Sequence, residues 1–92
     1  MSPEAVDIIL QGLEHDDLMH LLSYEDCLHR TALHWCAQHA SRDITQVILD
    51  CVHEEELYTL LSITEGRGAT PLVMWCLNGD IESIRLIKSR IS

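Results

Sequence analysis

Cys27, His29, His34, Cys36 and His39 fall within thirteen residues, and thiolate and imidazole at that density are the ligands zinc prefers. The spacing argues against a zinc site, because the segment holds no C-x-x-C pair. Cys51-Val-His53 adds two donors further along the chain. His53-Glu-Glu-Glu-Leu57 imitates the opening of a zinc-protease helix, but Leu57 stands where the second histidine would have to be. Glu65-Gly-Arg-Gly68 is too short for a phosphate-binding loop and lacks its lysine. No Ser-His-Asp or Cys-His arrangement can be assigned better than by chance. The expectation is a non-enzyme with no catalytic residue, no metal and no cofactor.

Asp16-Asp17 and Glu54-Glu55-Glu56 could attract a basic partner or a divalent cation. Their simpler role is to open helices, whose N-terminal dipole favours each acid by about 0.3–1 kcal/mol. In a secreted chain four cysteines would allow three disulfide pairings. The start Met-Ser-Pro-Glu lacks the basic residues and apolar stretch of a signal peptide, so reduced thiols are expected. Cys36, Cys51 and Cys76 read as buried, and Cys27, on a turn, as the one open to reaction.

The chain that must position these groups has 92 residues, 47% apolar and 23% charged, which is the profile of one small folded domain rather than a disordered one. Its longest apolar run, Leu72 to Leu77, is far short of the ~20 residues of a membrane helix, so no membrane insertion is expected. Fifteen acids against six bases give a net charge of −9, and the first base is Arg30. Nucleic acid and anionic lipid are therefore poor partners. A cytoplasmic location is expected, with a nuclear one open, for the chain alone or as a segment of something larger.

The elements emerge when the sequence is laid over itself. At an offset of 39, Leu18-Met-His-Leu-Leu-Ser23 covers Leu57-Tyr-Thr-Leu-Leu-Ser62, Thr31-Ala-Leu33 covers Thr70-Pro-Leu72, and Ile9-Leu10 covers Ile48-Leu49. A fixed offset of this size means stacked units rather than one closed core. Each unit reads as three short helices. The first (31–39, 70–78) opens on a Thr cap, with Pro71 at the first helical position of the second copy, and ends at Ala40 or Gly79. The second (4–13, 43–52, 81–91) carries apolar residues at helical spacing, Ile8 and Ile9, Ile44 and Ile48, and Ile81, Ile84 and Ile87 among them, on faces expected to be covered by neighbours. The third (16–23, 55–62) starts with acids and ends in Leu-Leu-Ser. No strand pattern is present.

Thr31-Ala-Leu-His-Trp-Cys-Ala37 and Thr70-Pro-Leu-Val-Met-Trp-Cys-Leu-Asn-Gly79 resemble the ankyrin repeat, whose pattern runs Asp-x-x-Gly-x-Thr-Pro-Leu-His-x-Ala-Ala-x-x-Gly-His. Asp26, His34 and Ala37 match in one copy, and Gly68, Asn78 and Gly79 in the other. The resemblance implies an all-α, ankyrin-type helical repeat solenoid with turn or hairpin connections and an extra short helix per repeat. One domain is expected over 1–92, with a partial repeat at 1–25, a repeat at 26–64 and a truncated one at 65–92. The family's unit is about 33 residues. Of the six extra here, two are expected between the helices of the first copy, around Ser41-Arg42, and four beyond the second helix. His29 takes the place of a turn glycine, which should strain or reshape that turn. Val73 replaces the motif histidine, and Trp75 an alanine, so the indole must part its neighbours or lie on an open face.

Proteins of this family bind partners through turn tips and the exposed side of the first helices. Matched onto this chain, the resemblance implies a protein-binding surface of Leu28, Arg30, Gln38 and His39 with Arg67, Ala69, Leu77 and Asn78, and His29 joins them by turn geometry; Cys27 and Gly66 flank it. The partner expected is a protein of unspecified identity. The alternative is a structural or targeting segment of a longer array, with further repeats or end-to-end self-association and no binding activity of its own.

Overall fold

The computed structural model describes residues 3–39 and 41–91, and among these it contains helices and no strands. The helices are α1 (Pro3–Leu10), α2 (His15–Leu22), α3 (Ala32–His39), α4 (Arg42–Cys51), α5 (Glu54–Leu61), α6 (Pro71–Asn78) and α7 (Ile81–Arg90). The 39-residue period is structural. Helices α1, α4 and α7 start at residues 3, 42 and 81, α2 and α5 at 15 and 54, α3 and α6 at 32 and 71. The two residues expected as an insertion near Ser41-Arg42 are not one, because two residues join α3 to α4 and two join α6 to α7. The helix end expected at Ala40 lies outside the described residues.

Local chemistry sets these boundaries. The Thr70 hydroxyl accepts the Val73 N–H and Pro71 fills the first turn of α6. Gly79, at φ 68°, ends it, and the N–H groups of Gly79 and Asp80 return to the carbonyls of Cys76 and Trp75. Asp80 then caps α7 through the Ser83 N–H and hydroxyl. The acids that open α2 and α5 sit in their first turns, as expected.

The helices form two layers, α3 on α6 in one and α1, α4 and α7 side by side in the other, with α3 against α4 and α6 against α7. The core between them takes Leu33, Cys36 and Ala37 from α3, Ile44, Ile48 and Leu49 from α4, Trp75 from α6 and Ile87 from α7. Leu18, Leu22, Leu57 and Leu60 close it from the connecting helices α2 and α5.

Helix α4 lies between α1 and α7, so Ile48 is covered from both sides. Its counterpart Ile9 is 61% exposed and Ile8 67%, against the covered face expected for both, because among the described residues the main packing of α1 is on α4, whereas α4 packs on α1 and α7. Ile81 is exposed for another reason: it holds the repeat position of Arg42, which also faces solvent. Cys76 is exposed as well, although its counterpart Ala37 is buried beneath α6.

Candidate functional site

The two turns that precede the first helices are built alike. Asp26 accepts the N–H groups of Leu28 and Arg30 on one carboxylate oxygen (2.8 and 2.9 Å), and Glu65 accepts those of Arg67 and Ala69 (2.7 and 3.1 Å). The backbone N–H of each acid bonds the carbonyl four residues on, Asp26 to Arg30 and Glu65 to Ala69. His29 and Gly68 occupy the same place, with φ of 61° and 84°. The histidine is thus accommodated in the left-handed region without reshaping the turn.

Those N–H groups hold both carboxyls below their ordinary range. The Arg30 amide does most for Asp26 and the Ala69 amide most for Glu65. A bond from the Gly66 N–H to the Leu28 carbonyl (2.9 Å) fixes one turn on the next, and a Cβ at Gly66 would approach that carbonyl to 3.1 Å. The close stacking of the turns is what glycine permits here.

Two polar links join α3 to the next unit. His34, fully buried, accepts the Thr31 N–H on Nδ1 (3.0 Å) and from Nε2 donates to the Ala69 carbonyl (3.1 Å). Its nitrogens are spent within the fold. Asn78 donates from Nδ2 to the Ala37 carbonyl (2.8 Å) at the far end of α3.

Turns and first helices together enclose an open cleft of about 740 Å³. Its walls include Leu28, His29, Arg30, Gln38, Arg67, Ala69, Leu77 and Asn78, all expected from the sequence, with Cys27 and Gly66 beside them. His39 is not among them; its ring stacks on Trp35 at 4.2 Å. Glu65 and Met74 also line the cleft; Glu65, weighed in the sequence only as part of a phosphate-binding loop, was legible as the register partner of Asp26, while Met74 carried no such signal.

The cleft is apolar at Leu28, Leu77 and Met74, and Leu77 is 78% exposed. Its two arginines differ. Arg30 is held by Asp26 (Nε to Oδ2, 3.0 Å) and by the Gln38 side chain. The Arg67 guanidinium makes no hydrogen bond or ion pair among the described residues, so it is the positive charge a ligand meets.

The Cys27 to His39 segment does not converge on a metal. Cys36 is buried, and burial pushes its thiol up to about 11, which makes it inert at neutral pH. Cys27 and Cys76 are the exposed thiols. Among the described residues, one group of three donors does converge: His15 at the start of α2 with His53 and Glu56 at the start of α5.

No family model matches this chain, and neither the curated proteins nor the solved structures contain a significant match to it. Among the described residues no helix is long and apolar enough to cross a membrane.

Proposed function

We propose that this chain is a protein-binding repeat module of the ankyrin type, which takes a segment of a partner protein in the cleft between its stacked turns and first helices. The observation that carries this reading is that residues from two units, 39 positions apart, meet in one concavity with exposed apolar side chains and an exposed arginine, Arg67, near the Glu65 carboxylate. Exposed apolar anchors ringed by polar groups are the composition of interfaces. The buried His34 link to Ala69 and the stacked turns support this reading, because they hold successive units in register. The cleft favours a segment carrying an apolar side chain for Leu28, Met74 and Leu77 and a carboxylate for Arg67.

Selection of peptides from a random display library tests this. Arg67→Glu and Leu77→Asp alter exposed side chains and should leave stability within about 0.5 kcal/mol, yet weaken the selected peptides by roughly tenfold or more. Selected peptides indifferent to both substitutions would sink the proposal.

A second reading is favoured by the outer face of α6. Leu72 and Val73 are 41% and 45% exposed, while their counterparts Leu33 and His34 are buried where α6 packs on α3. That face is shaped as the seat of another repeat, in a longer array or in a second copy. Light scattering across a concentration series should show mass rising with concentration in the wild type and a constant monomer mass in Leu72→Lys/Val73→Lys. A monomer throughout would remove self-association.

A further inference from the structure

Leu57 deprives His53 and Glu56 of a second histidine within their own helix, and the fold brings one from elsewhere. Helices α2 and α5 are the same piece of successive repeats, and His15, at the start of α2, reaches Glu56 across 41 residues of sequence. Its Nδ1 lies 3.0 and 3.1 Å from the two carboxylate oxygens, and its ring stacks on His53 with centroids 4.2 Å apart. One donor atom from each of the three residues lies within 4.8 Å of the others.

We propose that His15, His53 and Glu56 form a site for a divalent zinc ion that clamps one repeat to the next. Two imidazoles and one carboxylate make the donor set of open zinc sites, with solvent as the fourth ligand. Calcium and magnesium ask for more oxygen donors than these three residues offer. Both histidines are exposed, so water and the ion reach them freely.

Glu56 is already positioned. Its carboxylate accepts the His53 N–H at 2.8 Å, which holds the side chain over the start of α5, and that bond does most to keep its carboxyl below the ordinary range. The helix starts oppose a cation with about half a charge each. Five further acids next to the ligands in sequence, Glu14, Asp16, Asp17, Glu54 and Glu55, outweigh that and raise the local concentration of a dication.

Binding needs only side-chain rotation. Zinc lies in the plane of each imidazole at about 2.0–2.1 Å, which sets tetrahedral donors roughly 3.4 Å apart. His15 and Glu56 are near that separation now; His53 must turn out of the ring stack. Coordination through Nδ1 of His15 places the ring hydrogen on Nε2, so the contact between Nδ1 and the carboxylate gives way to a bond from each of them to the ion. The result is a bridge between α2 and α5 that exists only in the folded chain, so the ion stabilises the stack by mass action.

The test is calorimetric titration of the full chain with zinc chloride, with a thermal melt at saturation and cobalt(II) as an optical probe of ligand type. The expected result is one ion per chain, a raised melting temperature and cobalt spectra free of thiolate charge-transfer bands. His15→Gln, His53→Gln and Glu56→Gln should each cost roughly tenfold or more in affinity, and Cys27→Ser with Cys76→Ser should cost nothing. Melts without metal show that each variant is folded. Absence of saturable binding, or binding that survives the three substitutions and is lost with the cysteines, would overturn the site.

Discussion

Trp75→Ala should lower stability by about 3–5 kcal/mol, against a total of roughly 5–10 kcal/mol for a domain this size, and leave much of the chain unfolded at physiological temperature. The indole is wholly buried on α6, a helix that packs on both α3 and α7. Its removal opens a void that two short helices cannot both close. The sequence left two fates for this residue, parting its neighbours or lying on an open face; the open face is excluded.

Its repeat partner is Cys36, and the next unit compensates: the position of Ile44 on α4 becomes Ser83 on α7, both of them buried. The Trp75 Nε1–H finds no acceptor, which costs about 1–3 kcal/mol in a buried site. Trp75→Phe removes that donor as well as some volume, so the two effects offset and it should stay within about 1.5 kcal/mol of wild type. Urea denaturation followed by circular dichroism measures both. An alanine variant costing under about 1 kcal/mol would mean that this layer does not depend on the indole.

His34→Ala should cost about 2–4 kcal/mol for a different reason. The imidazole serves the Thr31 N–H and the Ala69 carbonyl, and its loss leaves the buried Thr31 N–H without a partner at about 1–3 kcal/mol and takes one of two donors from the Ala69 carbonyl, which keeps the Glu65 N–H. His34→Leu keeps most of the volume and should cost nearly as much, which identifies hydrogen bonding rather than packing as the source. Val73→His, at the same motif position of the next unit, should change stability by no more than about 0.5 kcal/mol, because that position is half exposed. A His34→Leu chain as stable as wild type would show the link to be dispensable.

These substitutions mark how far the sequence reached. The Thr70 cap, Pro71, Gly79 and the acids opening α2 and α5 act through groups within a few residues, so the helix boundaries could be read locally. The turns were legible for the same reason, since Asp26 and Glu65 bond the backbone two and four residues on. The surface residues came from the resemblance to the ankyrin repeat, with His29 added by turn geometry, and eight of the nine line the cleft. His39 does not line it: its ring stacks on Trp35, four residues earlier on the same face of α3.

By itself, then, the sequence determined the helices and their 39-residue recurrence, both consequences of short-range hydrogen bonding repeated at a constant interval. Tertiary structure alone decided which of two equivalent residues is covered. Ile48 is buried and Ile9 exposed, Leu33 buried and Leu72 exposed, Ala37 buried and Cys76 exposed, because burial depends on whether another helix lies alongside. It alone brought His15 to His53 and Glu56, since residues from different positions of the repeat meet only when two helices start at the same level of the stack.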